Sequence, residues 1–242
     1  MKPIAELNTN KKLSEFMDRH YLIGNRYTLK DGATYIDPGD ALQRTGYVAI
    51  AECLSAESRN QSVAAKARFV TRLKSHRVGT GLYVRHKLSD AWAQNINVTS
   101  GDQLRPVIIA MGLFGMQRWV LEVLVRVLLR GGFYWNSRDT GKTPERLKKW
   151  PDPCMPDHWS MFLRALGPVA CTIFLPILLL GDLWNLMSTI WATLIYPYQR
   201  LQNCDQLNRI AMLTQGIIAY PTPLSRLAHR IFRDYRPCYD LM

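Results

Sequence analysis

Four aspartates of this sequence stand at the beginning of apolar stretches. They are Asp40 in GDALQRTGYVAIA, Asp102 in GDQLRPVIIAMG, Asp182 in GDLWNLMSTIWA and Asp205 in CDQLNRIAMLTQG. Three of the four are followed two residues later by a leucine. Carboxylates that meet in one cleft can donate and accept protons, so the recurring pattern indicates candidate acid–base chemistry.

A structural role competes with the chemical one at each of these positions. An acidic residue near a helix N-terminus accepts hydrogen bonds from free backbone N–H groups and complements the helix dipole, which stabilises a protein by roughly 0.5–2 kcal/mol. Asp37 before Pro38 has the pattern of such a cap, and Thr99 with Asp102 resembles a capping box. The sequence alone leaves both interpretations open.

The elements that must position these aspartates are predicted to be helices. Helical periodicity dominates the chain, and convincing alternating strands are absent. Two long loop-rich stretches, 77–100 and 131–157, interrupt the helices, but no domain boundary is visible. We therefore predict a single all-α domain over residues 1–242. Its predicted helices cover about 40–54, 60–76, 101–112, 116–130, 158–166, 169–180, 183–197, 204–218 and 223–234.

The helix predicted over 116–130 carries its charges at every fourth residue. Arg118, Glu122, Arg126 and Arg130 therefore form one stripe, in which Glu122 can pair with its arginine neighbours. Almost all of the other positions are apolar. This pattern predicts that most of the helix circumference is buried.

The stretch 165–199 contains one formally charged residue, Asp182. Pro168 and Pro176 interrupt its first half, which is short for a membrane-spanning helix. We predict two helices that are buried on nearly all sides and broken near Gly181. A membrane hairpin explains the same pattern and stays open as an alternative.

Helical hairpins arranged in a ring place the N-termini of their inner helices at one end, so that residues from several helix starts converge. With DPGDALQRTG, YVRH, TSGDQLRP and CDQLNR, the chain resembles the (α/α)-toroid, or six-hairpin, carbohydrate-active enzymes over about residues 35–210. Because 242 residues are too few for six hairpins, we expect an incomplete toroid-like array of about four.

This resemblance implies a cleft for a poly- or oligosaccharide and aspartates that cleave its glycosidic bond. Such hydrolysis needs one carboxylic acid that protonates the leaving oxygen and a second carboxylate that acts as base or nucleophile. We predict Asp40 and Asp102 as that pair and His86 as a further catalytic candidate. The candidate substrate-binding residues are Asp37, Arg44, Tyr83, Arg85, Gln103, Trp135 and Asp205, and among them Asp37 and Asp205 are also alternates for the catalytic pair.

Elimination from a uronate polymer is the alternative chemistry. His86 or Tyr83 would then act as the base, and an arginine would neutralise the substrate carboxylate. In either case we expect the loop 131–157, which carries Trp135, to border the cleft.

Composition narrows the choice of partners. The net charge of +12 favours an anionic partner such as an acidic polysaccharide, a membrane surface or nucleic acid.

The five cysteines are widely spaced and form no C-x-x-C pair, so we expect neither a zinc site nor a disulfide framework. No nucleotide-binding or metalloprotease motif occurs, and we expect no metal and no cofactor. The N-terminal residues lack the apolar core of a signal peptide, which predicts a cytoplasmic protein.

Two non-enzymatic functions remain open. A membrane-associated protein would be anchored through 165–199. A nucleic-acid-binding protein would use the helix at 223–234, where Arg226, His229, Arg230 and Arg233 form a basic face.

Overall fold

Nine helices and two short β-hairpins make up the part of the chain that the structure, a computed structural model, describes. That part comprises residues 25–28, 34–37, 41–83, 101–129, 154–192 and 203–235. Within these ranges the chain is mostly helical, which confirms the predicted all-α class.

Periodicity located the helices to within two residues everywhere except in 165–199. Each helix coincides with a stretch in which apolar residues recur with the helical period. The helices are α1 (Ala41–Leu54), α2 (Arg59–His76), α3 (Gly101–Leu113), α4 (Gln117–Leu129), α5 (Pro156–Leu166), α6 (Pro168–Ile173), α7 (Leu175–Ile190), α8 (Asn203–Ile218) and α9 (Pro223–Tyr235).

The two hairpins were not predicted. In the first, β1 (Asn25–Thr28) pairs antiparallel with β2 (Thr34–Asp37), with Asn25 opposite Asp37. In the second, β3 (Arg77–Gly79) pairs with β4 (Leu82–Tyr83) inside the stretch expected to be a loop.

The β3–β4 hairpin is tied to a distant helix. The Arg77 guanidinium lies 2.7 Å from the Glu122 carboxylate, and Arg126 Nε donates to the Thr80 carbonyl at 3.0 Å. Both partners lie on α4. Strands as short as these show no clear periodic pattern in the sequence. The contacts that hold them come from a helix distant in sequence, so local periodicity could not predict them.

Helix α3 is the centre of the larger core. It packs against α1, α4, α5 and α8, and five consecutive residues, 107–111, are all buried. A helix that is apolar on all sides must be surrounded by other elements, as this one is. A smaller cluster, which includes Leu186, Leu213 and Phe232, joins α7, α8 and α9.

The break predicted near Gly181 is wrong. Helix α6 ends at Ile173 and α7 begins at Leu175. Pro176, in the first turn of α7, has no N–H with which to continue α6. Helix α7 then runs uninterrupted through Gly181. A Cβ at that glycine would lie 2.5 Å from the Pro156 carbonyl oxygen, so the missing side chain permits close packing of α7 on α5.

Asp182 lies inside α7 and therefore does not begin a helix. Its two carboxylate oxygens each accept a 2.7 Å hydrogen bond from Arg164, and Thr222 donates a third at 2.6 Å. Thr222 Oγ1 also accepts from the backbone N–H of Ser225 at 3.1 Å, so Thr222 is the N-cap of α9. The role of Asp182 is thus to join α5, α7 and the start of α9.

Two predictions of burial are also wrong. In the stretch 165–199, large apolar side chains on α6 and α7 are exposed over up to 71% of their surface. On α4, Leu121, Val125 and Leu129 are exposed because only one side of the helix packs against α3 and α5. No helix within the described ranges has both the length and the apolar character needed to cross a membrane.

The buried Arg164–Asp182 pair generates a stability prediction. Asp182→Asn should lower the free energy of unfolding by about 3–5 kcal/mol, because it leaves the Arg164 guanidinium buried without its charge partner. Urea unfolding measures this loss.

The matched control removes an exposed ion pair. Arg68→Met breaks the contact of Arg68 with Glu52, and because Arg68 is half exposed the free energy of unfolding should fall by less than about 1 kcal/mol. Equal losses in the two variants would contradict a special role for the buried pair.

Candidate active site

The first turn of α3 lacks one of its own hydrogen bonds. The carbonyl of Asp102 would ordinarily accept from the backbone N–H of residue 106, but that residue is proline and has no N–H. Gln43 Nε2 donates to this carbonyl at 2.9 Å, and Asn208 Nδ2 donates at 3.4 Å. The Asp102 carbonyl therefore joins the start of α1 and the first half of α8 to the start of α3.

Helices α1 and α3 approach each other almost backbone to backbone. A Cβ at Gly46 would lie 2.6 Å from the backbone carbon of Pro106, so a larger residue would force the helices apart. The backbone N–H of Gln43 also donates to Gln103 Oε1 at 3.4 Å, and both glutamines are buried. Two of the apolar helices that follow a Gly-Asp pair thus begin side by side.

Helix α5 contributes a further carboxylate. Asp157, in its first turn, is largely buried, and burial raises the pKa of its carboxyl group, while the positive charges of Arg105 and Arg209 oppose the rise. These two arginines lie on α3 and α8. The start of α5 therefore lies close to the same two helices that Asp102 joins.

His158 is held as a neutral imidazole beside Asp157. The backbone N–H of Met155 donates to its Nδ1 at 2.9 Å, which leaves the proton on Nε2, 3.8 Å from Asp157 Oδ1. Burial lowers the pKa of His158 to about 3, and the nearby Arg105 adds to the effect. At neutral pH the Asp157–His158 contact is therefore not an ion pair.

Together these residues form what we call the polar cluster. Arg44 follows Gln43 directly on α1. Among the described residues, Arg44 Nε, Asp157 Oδ1 and Asn208 Oδ1 are buried without a hydrogen-bond partner. Such atoms are rare in folded proteins and mark places where a ligand or water completes the bonding. The polar cluster consists of Gln43, Asp102, Gln103, Arg105, Asp157, His158, Asn208 and Arg209.

The structure brings together two of the residues predicted from sequence. Asp102, through its backbone carbonyl, and Gln103 belong to the polar cluster, and Arg44 lies on α1 with its Nε atom buried. Tyr83 instead lies in the hydrophobic core near Arg77 and Glu122, and burial raises the pKa of its hydroxyl group.

The other predicted site residues are not tested by the structure. The catalytic candidates Asp40 and His86 lie outside the described residues, and so do Arg85 and Trp135 together with most of the loop 131–157. For Asp37 at the end of β2 and Asp205 in α8, only the backbone is described, so their roles stay predictions.

Sequence reasoning missed Asp157, Arg105, Asn208 and Arg209. A signal was present for Asp157, since it follows a proline at the start of an apolar helix, as a helix-capping acid does. Asn208 and Arg209 stand in the segment CDQLNR, four and five residues beyond its first residue, in the first half of α8. Asn208 thereby reaches Asp102 and Arg209 acts on Asp157, which no spacing along the chain could show.

A surface cavity of about 530 Å³ lies elsewhere. Its lining residues come from α4 and the β3–β4 hairpin, and none of them belongs to the polar cluster. Within the described ranges, no three histidine, cysteine or acidic side chains are grouped so that they could hold a metal ion.

Compared with known protein families, curated proteins and solved structures, the chain shows no significant match. The function must therefore be inferred from the residues of the polar cluster themselves.

The neutral state of His158 predicts how stability depends on pH. The unfolded chain binds a proton at this residue near pH 6.5, whereas the folded chain does so only near pH 3. The contribution of His158 to stability is therefore complete above pH 6.5 and is lost as the pH falls toward 3.

His158→Gln tests this dependence. Glutamine keeps an acceptor for the Met155 N–H but does not titrate, so the fall in the free energy of unfolding between pH 6.5 and 3 should shrink by at least about 1.4 kcal/mol. Urea unfolding at a series of pH values measures it, with His229→Gln on α9 as the less buried control. An unchanged pH dependence in His158→Gln would contradict the assignment.

Proposed function

We propose that the chain is a carbohydrate-active enzyme that cleaves a poly- or oligosaccharide at the polar cluster. The observation that carries the proposal is the convergence of the starts of α1, α3 and α5 with the first half of α8. In a toroid-like array the starts of the inner helices would converge in this way, and the convergence brings the Asp157 carboxyl group close to Arg105 and Arg209.

Asp157 is the proton donor in this proposal. Because burial raises the pKa of its carboxyl group, Asp157 retains a proton at higher pH than an exposed aspartate does. During hydrolysis the Asp157 carboxyl group gives its proton to the glycosidic oxygen as the bond from that oxygen to the anomeric carbon breaks. Asp40 or Asp102 takes a proton from water, and the resulting hydroxyl adds to the anomeric carbon.

The arginines determine the class of substrate. Arg105 and Arg209 lie close enough to Asp157 to act on its carboxyl group, and the whole chain carries a net charge of +12. A guanidinium binds a carboxylate through two parallel hydrogen bonds. We therefore expect a uronate-containing polysaccharide in preference to a neutral one.

The same site could carry out elimination in place of hydrolysis. An arginine would then neutralise the uronate carboxylate while a base removes the neighbouring proton. Of the two predicted bases, Tyr83 is less suitable because it is buried and its pKa is raised, which leaves His86.

Activity of single variants tests the proposed function. On a panel of neutral and acidic polysaccharides, Asp157→Asn and Asp40→Asn should each lower kcat at least about a hundredfold, because general acid–base groups contribute that much or more. New reducing ends report cleavage, and ultraviolet absorbance of an unsaturated end distinguishes elimination from hydrolysis. Asp234→Asn, an exposed carboxylate on α9, is the control and should retain full activity.

The thermal stability of the Asp157→Asn variant distinguishes a catalytic role of Asp157 from a structural one. A carboxylate with a raised pKa is least favourable to folding when it is ionised, so Asp157→Asn should not lower the melting temperature at neutral pH. A large fall in melting temperature would assign Asp157 to the fold. Absence of cleavage across the whole panel would contradict the proposed function.

A further inference from the structure

Helix α7 carries its apolar side chains on the outside. Ile177, Leu180, Trp184, Met187 and Trp191 follow one another at spacings of three and four residues, which places them in one stripe along the helix. All five are exposed, and Met187 reaches 62%. We call this stripe the α7 face.

The inner side of the same helix buries three polar side chains besides Leu178 and Leu186. Asp182, Asn185 and Thr189 are buried, and their spacing places them opposite the α7 face. Asp182 is paired with Arg164, and Thr189 Oγ1 donates to the Asn185 carbonyl at 2.7 Å. A helix of a water-exposed surface shows the reverse distribution, with polar residues outside.

The apolar surface continues onto α6. Val169 and Ile173 are exposed over 71% and 66% of their surface, and Phe174 at the junction with α7 is also exposed. Between residues 165 and 192 the one formally charged side chain is Asp182, and it is buried. A neutral, contiguous apolar patch of this kind marks a surface that contacts something other than water.

The net charge of the chain indicates which kind of partner covers this patch. The chain carries a net charge of +12, so two copies repel each other, whereas a bilayer with anionic lipids attracts each copy. Helix α9 packs directly on α7 and has Arg226, Arg230 and Arg233 exposed. An apolar helix face with tryptophans, beside exposed arginines, has the chemistry of an interfacial membrane contact.

We propose that the α7 face, extended by α6, inserts into the headgroup region of an anionic membrane with α7 lying in the plane of the bilayer. The 16 residues of α7 span about 24 Å along that plane. Asp182 and Arg164 remain inside the protein, where their charges satisfy each other. This membrane contact is independent of the proposed enzymatic function.

Sedimentation with vesicles tests the contact. The full chain should bind vesicles of phosphatidylcholine mixed with phosphatidylglycerol, and bind vesicles of phosphatidylcholine alone at least tenfold less well. The variant Leu180→Ser/Trp184→Ser/Met187→Ser should bind the mixed vesicles at least tenfold less well than the parent, although its net charge is unchanged. The matched control, Leu121→Ser/Val125→Ser, removes exposed apolar side chains from α4 and should bind as the parent does.

A single substitution provides a second test that does not depend on the folding of the triple variant. Met187→Lys adds a positive charge at the most exposed position of the α7 face. If binding depends on insertion, this variant binds mixed vesicles less well than the parent, whereas purely electrostatic binding would improve. Circular dichroism and thermal melting verify that both variants fold.

Three results would overturn the proposal. Unchanged vesicle binding by the triple variant and by Met187→Lys would show that vesicles contact another surface of the chain. A dimer in light scattering that the triple variant converts to a monomer would show that a second copy covers it. Improved binding by Met187→Lys would show attraction by charge alone.

Discussion

The arrangement of the helix starts depends on one carbonyl group. Pro106 removes the N–H that would bond the carbonyl of Asp102, and Gln43 and Asn208 supply the missing donors from two other helices. A buried carbonyl without a partner is costly, so these two bonds fix how α1 and α8 sit against α3. Gly46 permits this geometry, because any Cβ there would overlap Pro106.

The remaining length of α3 explains why polar groups gather at its start. Residues 107–111 are buried on all sides by α1, α4, α5 and α8, so no polar side chain is accommodated there. Polar residues that the surrounding helices contribute therefore meet at the first turn, beside Asp102. The hydrophobic core and the polar cluster are thus two consequences of the same central helix.

Much of the fold could be predicted from the sequence, but less of the site. Helical periodicity located the helices because it depends on neighbouring residues alone. It could not distinguish Asp102, near the start of α3, from Asp182, which stands in the middle of α7 and pairs with Arg164. Both aspartates follow a glycine in the sequence, so the local pattern is the same. Their roles are set by contacts with other helices, which the pattern does not contain. Periodicity also identifies a helix as apolar without showing what covers it, and for this reason the exposed side of α7 was predicted to be buried.

The central claim is that the helix starts place Asp40 with Asp102 and Asp157 around one pocket. A crystal structure that resolves the Asp40 side chain tests this claim most directly. The account predicts that the Asp40 carboxylate lies roughly 5–10 Å from the carboxylate of Asp102 or of Asp157, the range over which carboxylate pairs cleave glycosidic bonds. Separations of more than about 15 Å from both, well beyond that range, would contradict it and leave these aspartates as helix caps.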